Sequence, residues 1–273
     1  MPGIRDKGVL ITGAGRGIGK RLALGFAAEG ARVGLLARSK AELDLAHLEI
    51  EHAGGVSLRL RADVRDFEQV TAAVAHMTAR LGGIDVLICC AGILGPVGPF
   101  ADSPAAGWAD AIITNLVGTA NACRAVLPQM IARRSGKIIM LAGPGATKAR
   151  PFVSAHAASK AGVVRLAETL AAEVADYNIQ VNCLSPGNAY THMTDQVLRA
   201  GARAGEKNLE EARQARDTGG VPPEQQLQLA LFLASERSNH ISGRLLRVQD
   251  DWRKLENSKL GPETYMLRRS DRL

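Results

Sequence analysis

Aromatic residues make up only 4% of the 273-residue chain, and cysteine occurs four times. So few rings argue against an aromatic-rich β-sandwich, and the abundance of Gly and Ala favours helices packed closely on a sheet. No C-x-x-C pair is present, so no metal site is expected. Cys89 and Cys90 are neighbours and do not readily bridge. With Cys123 and Cys183 they lie in apolar segments and read as small buried residues. No apolar run approaches the ~18 residues of a spanning helix, and no charged-then-apolar leader precedes the first strand. The expected setting is the reducing cytoplasm, away from membranes. The 34 Lys and Arg outnumber the 27 Asp and Glu, a net charge of +7, but they are scattered apart from pairs such as Arg133–Arg134 and Arg268–Arg269. Without a basic stripe interleaved with aromatics, nucleic acid is not an expected partner; a basic protein open to anionic ligands is.

What is present is alternation. Short apolar runs at 9–12, 32–36, 56–60, 86–90, 137–141, 181–184 and 245–248 are separated by amphipathic stretches, among them 20–29, 40–53, 68–81 and 163–176. Strand–helix alternation with near-continuous apolar strands predicts an α/β fold: a doubly wound, Rossmann-type parallel sheet of about seven strands in a single domain, with both faces covered. Ser103 and Pro104 read as the N-cap and first turn of a helix running, with a kink, toward Arg134. Pro222 and Pro223 open another that reaches Ser235. Residues 1–248 form the expected domain. Within it 187–221 is polar and glycine-flanked and reads as a mobile lid over the carboxyl edge of the sheet. Residues 249–273 read as a tail packed on the body or on a neighbouring subunit.

The first strand leads into "TGAGRGIGK". Gly13, Gly17 and Gly19 are the turn residues, with Gly15, Arg16 and Ile18 between them. Placed between a strand and a helix, such a loop lets backbone amides and the helix dipole approach a phosphate. The spacing Thr-Gly-x-x-x-Gly-x-Gly resembles the short-chain dehydrogenase/reductase family, and the resemblance continues in register from Lys7 to about Val248. It implies a nicotinamide dinucleotide, a small-molecule substrate and a homo-dimer or homo-tetramer. At the end of the second strand Ala37 stands where an NAD site tends to have an acid. Arg38 and Arg16 would instead attract a 2′-phosphate, so NADP(H) is the expected cofactor; the plainer alternative is two surface arginines. The resemblance further assigns Asp63 and Val64 to the adenine, and Ala91 and Gly92 to the ribose region, within "CCAG" where the family has Asn-Asn-Ala-Gly. Pro186, Gly187 and Thr191 are assigned to the border of the nicotinamide.

The same resemblance implies an Asn, Ser, Tyr, Lys centre, the last two spaced Tyr-x-x-x-Lys so that both lie on one helix face. Asn115 and Lys160 are present, the latter also expected on the cofactor ribose. The tyrosine position is His156 in "SAHAASKAG", and the serine position falls on Gly143. Loss of a carbonyl-polarising donor costs ~10²–10³ in rate; Thr147 and Ser154 are the nearby hydroxyls. Beside Lys160 the imidazole is expected to be neutral at pH 7, a better base or hydrogen-bond donor than acid. Tyr190 and His192 are further titrating groups near the nicotinamide loop.

Three readings follow. One is an NADP(H)-dependent oxidoreductase on a carbonyl (or imine)/alcohol pair, with an atypical His156–Lys160–Asn115 centre. Another is a non-redox enzyme using His156 as the base in an elimination, isomerisation or cyclisation. The third is a catalytically lapsed NADP-binding protein in which His156 only fills the tyrosine's space.

Overall fold

The computed structural model describes residues 3–261 and 263–268. Seven strands form one sheet: β1 Gly8–Thr12, β2 Arg32–Ala37, β3 Val56–Arg61, β4 Val86–Cys89, β5 Gly136–Leu141, β6 Ile179–Ser185 and β7 Leu245–Arg247. They pair in parallel in the order β3-β2-β1-β4-β5-β6-β7. The order reverses between β1 and β4, which opens a crevice beyond their carboxyl ends. β1, β4 and β5 are buried along their whole length, as their apolar sequences demand. β3 is the exception: it lies at the sheet edge and Val56, Arg59 and Arg61 are exposed.

The flanking helices are α1 Gly17–Ala28, α2 Lys40–His52, α3 Phe67–Leu81, α4 Ala105–Ile112, α5 Gly118–Arg133, α6 Ser154–Glu173, α7 His192–Ala200, α8 Glu206–Thr218 and α9 Pro223–Ala234. They divide the core in two. One layer centres on Phe26, Leu22 and Phe232, the other on Leu10, Met77 and Val126. α9 starts with Pro223 in its first turn, as expected. The start of α4 differs. Ser103 closes the short turn Phe100–Asp102, its N–H bonded to the Phe100 carbonyl, and Pro104 is itself the cap, accepting from Trp108 N–H. Pro104 itself takes extended backbone, ψ 121°, so the helix begins one residue later than the Ser-Pro pair implies. The expected kink toward Arg134 is a π-turn, Ile113–Val117, between α4 and α5.

The excursion at 187–221 is helical, containing α7, the turn Gly201–Ala204 and α8. Its two ends meet at an antiparallel bridge between Ala189 and Gly220, reinforced by Val221 N–H to the Asn188 carbonyl. In the tail, Trp252 is buried against Phe232, with ring centroids 5.1 Å apart. The Tyr265 carbonyl accepts from Leu245 N–H of β7, and Leu267 N–H donates to Glu168 of α6. Arg269, one of the paired arginines, lies outside the described residues. No helix among the described residues is long and apolar enough to cross a membrane.

Candidate active site

The glycine loop crosses the top of β1 and turns into α1. Gly13 takes φ 67° and Gly17 φ 57°, left-handed backbone that favours glycine. A Cβ on Gly13 would stand 2.8 Å from the Ala91 backbone, so only glycine lets the loop lie on the end of β4. Gly17 is open: a Cβ there would meet only Thr191 Cγ2, 3.8 Å away. Arg16 is the N-cap of α1 and its side chain makes no capping bond. The first-turn amides of α1 therefore face a cleft of about 1050 Å³ with no side chain satisfying them. Uncapped donors beside an open glycine surface fit a dinucleotide's phosphates.

All the residues singled out in sequence for the cofactor line this cleft: Gly13, Gly15, Arg16, Gly17, Ile18, Gly19, Arg38, Asp63, Val64, Ala91, Gly92, Lys160, Pro186, Gly187 and Thr191. Arg16 contacts Glu42 at 3.5 Å and Arg38 contacts Asp63 at 3.8 Å, with the arginine side chains 55% and 54% exposed. Asp63 is also held by Arg65, whose Nε and Nη2 both donate to it. Glu42 was not singled out in sequence. Ser39 caps α2 by accepting from Glu42 N–H, and the Glu42 side chain lies against Gly15. The Ser-x-x-Glu spacing there signals a capping box and conceals a carboxylate at the cofactor cleft.

At "CCAG" two backbone N–H groups tie the end of β4 to the end of β1. Ala91 N–H donates to Thr12 Oγ1 at 3.2 Å and Cys90 N–H to the Thr12 carbonyl at 3.2 Å. Cys90, expected to be buried, is half-buried and lines the cleft, and desolvation by the surrounding protein and then the neighbouring Cys89 push its thiol pKa up.

α6 begins at Ser154, so His156, Ser159 and Lys160 all lie on its first turns and are buried. Lys160 Nζ donates to the Leu141 carbonyl at 2.7 Å, and burial lowers its pKa. His156 Nδ1 lies 3.4 Å from the Ile93 carbonyl. With Nδ1–H facing that oxygen, Nε2 is left as an acceptor. Nε2 points toward Gly143, where a Cβ would stand 3.2 Å from it and 3.7 Å from Lys160. Burial first, and then the Lys160 charge, push the His156 pKa down to about 4 against the opposing pull of the Ile93 carbonyl.

Asn115 sits in the π-turn and is fully buried. Its amide clasps the Ile93 backbone, accepting from N–H at 2.8 Å and donating to C=O at 2.9 Å, and also donates to Ser159 Oγ at 2.9 Å. The side chain thus ties the β4 loop to α6. The hydroxyls near Gly143 are placed elsewhere: Ser154 Oγ accepts from Trp108 Nε1, and Thr147 is exposed outside the main cleft. Tyr190 and His192 do line the cleft from the excursion, but both are exposed, and the Tyr190 hydroxyl donates to Asp195 at 2.8 Å. Arg150, which sequence reasoning passed over in a loop, lines the cleft beside His156. No cluster of three or more metal-ligating side chains occurs among the described residues.

Comparison with known proteins agrees with this geometry. Residues 7–201 match the family model for short chain dehydrogenase. The chain is 37% identical over 246 residues to the oxidoreductase UcpA of Salmonella typhimurium, covering 89% of this chain and 93% of that protein. Among solved structures, a xylitol dehydrogenase with NAD+ bound superposes with a TM-score of 0.82 at 29% identity, covering 89% of this chain and 98% of that one. An actinorhodin polyketide ketoreductase with NADPH gives a TM-score of 0.82 at 30% identity, covering 89% and 95%.

Proposed function

Because the chain belongs to the short-chain dehydrogenase family, we propose that it is an NADP(H)-dependent oxidoreductase interconverting an alcohol and a carbonyl compound, with His156 as the proton-transfer group. The nicotinamide, once bound, takes or gives the hydride. The uncapped amides at the start of α1 receive the pyrophosphate. Arg16 and Arg38 receive the 2′-phosphate. Their present carboxylate contacts, at 3.5 and 3.8 Å, are loose and exposed, so a phosphate dianion competes well for both guanidiniums. Glu42 works against that preference. Lys160 serves the ribose, and its charge adds to the burial that keeps the imidazole unprotonated. Asn115 positions the loop and helix that carry these groups. A homo-oligomer is consistent with the exposed apolar side chains Phe67, Ile113 and Val117.

One observation carries the reading: a buried imidazole presents an unprotonated Nε2 in the same cleft as the open glycine loop. With its pKa pushed down to about 4, the imidazole is overwhelmingly neutral at pH 7. His156 therefore suits accepting a hydroxyl proton as the alcohol is oxidised, and reduction must draw its proton through a scarce imidazolium. The test is oxidation of a panel of alcohols with NADP+ and with NAD+, using the native protein and His156→Phe. The expected outcome is a preference for NADP+ and a fall in kcat of ~10²–10⁴ for His156→Phe, with NADP+ binding by calorimetry unchanged. Unchanged turnover removes His156 from the chemistry, and absence of NADP+ binding removes the cofactor assignment.

A further inference from the structure

Arg150 lies in the loop between β5 and α6 and lines the cleft near enough to His156 for its charge to be felt there. Among the cleft-lining residues, the other arginines and Lys20 belong to the glycine loop, α1 and the end of β2, while Lys160 is bonded to Leu141. Arg150 is thus the cation available to a substrate near His156. Its side chain is 22% exposed and reaches Glu211 of α8, itself 27% exposed, through a single contact, Nη2 to Oε2 at 2.5 Å. Elsewhere in the molecule Arg237 grips Glu256 through both Nε and Nη2. Arg150 instead leaves Nε and Nη1 unmatched, and since neither is among the buried unpartnered atoms of the described residues, they are open to the clefts it lines. Donors so placed on a side chain held by one contact are free to take a ligand acceptor.

The segment around Arg150 is built to hold it. Asn208 of α8 is buried, and its Nδ2 donates to the Pro151 carbonyl at 2.9 Å and to Ala204 at 2.7 Å. Phe152 adopts φ 68°, a left-handed conformation costly for a bulky side chain. Its ring covers Gly205, where a Cβ would stand 2.4 Å from Phe152 Cδ2, and its carbonyl accepts from Gly98 N–H at 2.8 Å. A strained residue clamped from two sides beside a half-paired guanidinium is preorganised for a partner. Beyond the Arg150–Glu211 pair lies a second cleft of about 730 Å³, lined also by Lys148, Lys207 and Gln249. Gly143, Arg150, Asn208 and Glu211 line both spaces, so the ion pair stands at their junction.

We infer that Arg150 binds the carboxylate of a hydroxy-acid or oxo-acid substrate bidentately, and that this carboxylate takes the place Glu211 now holds. Glu211 is the resident stand-in that satisfies the arginine between turnovers. The substrate's alcohol or carbonyl carbon sits at His156, and its acidic end reaches the junction with the second cleft. Carboxylate geometry matches the guanidinium fork, and one monodentate contact to Glu211 is weaker than the paired bonds a substrate supplies. This assignment rests on the oxidoreductase reading for its reaction, but not for its binding.

The experiment compares hydroxy acids of increasing chain length with their methyl esters, which share shape but lack the charge. Turnover with NADP+ and calorimetric binding of the acids are both measured, on the native protein and on Arg150→Met, Arg150→Lys and Glu211→Gln. The expected result is that the native protein prefers at least one acid to its ester. Arg150→Met raises KM and Kd for that acid by about ten- to a hundred-fold and leaves the ester within two-fold. Arg150→Lys, which keeps the charge and loses the fork, gives an intermediate loss, and Glu211→Gln lowers KM for the acid. Equal losses for acid and ester, or no preference for any acid in the native protein, overturn the inference. Should no compound turn over, the oxidoreductase reading fails alone if acid binding still depends on Arg150, and the inference fails if no acid binds.

Discussion

His156 is neutral because it is buried next to a cation, and that has a cost in acid. Its folded-state pKa, about 4, lies below the ordinary 6.5, so between these values the unfolded chain binds the proton that the folded one refuses. Stability from this residue is complete above pH 6.5 and is lost as the pH falls toward 4. The shift corresponds to about 3 kcal/mol at most. Denaturant midpoints of the cofactor-free protein should fall between pH 6.5 and 4, and His156→Phe should flatten that part of the profile. Over the same logic, kcat/KM for alcohol oxidation should stay level from pH 6 to 8, since the acceptor is already unprotonated there. A bell centred near neutrality would show that another group carries the proton. Gly143 and His156 were both legible in sequence as departures from a pattern. Glu42 and Arg150 were not: one was hidden by its role at a helix start, the other by a loop whose neighbours only the tertiary fold supplies.

At the level of elements, the π-turn Ile113–Val117 does what a regular helix would not, since the wider turn presents Asn115 to the β4 loop and to α6 together. Asn115→Ala would leave the Ile93 N–H and C=O and the Ser159 hydroxyl without this partner. A loss of about 3 kcal/mol in urea unfolding is expected, with a loss of activity that added NADP+ does not repair. A stability change within 0.5 kcal/mol would mean the clasp is dispensable. The sequence pattern showed that a helix here is irregular but not how, because π and α turns share the same residues. The amphipathic stretch at 163–176 begins nine residues after the start of α6 at Ser154, since His156 and Lys160, which line the cleft, and the buried Ser159 broke the apolar period. α7 and α8 escaped notice for a related reason: α8 buries Asn208, Ala212 and Ala215, residues too small or too polar to register as a core stripe.

Across the whole molecule, strand positions were the most readable feature, because central parallel strands must be apolar on both faces. β1, β4 and β5 satisfy this fully, and their ends fix where the crevice opens. The tail was readable only as a remainder. Its anchoring side chain is Trp252, buried on Phe232 and flanked by the Arg253 guanidinium 4.4 Å from its ring centroid. Trp252→Ala should cost about 3–5 kcal/mol, read as a lower denaturant midpoint with an unchanged slope. A shift under 1 kcal/mol would show that the tail rides on the body without supporting it.

The bond from Leu245 N–H to the Tyr265 carbonyl has a consequence for behaviour at high concentration. β7 is the last strand of the sheet, and an unpaired outer strand is a template for intermolecular pairing. The returning tail bonds to that strand, while at the opposite border β3 carries exposed arginines, Arg59 paired with Asp44 and Arg61 beside it, which disfavour a flat apolar partner. Both borders are thereby guarded against fibrillar stacking, one by the tail and one by charge. A chain shortened before Tyr265 keeps only the second safeguard.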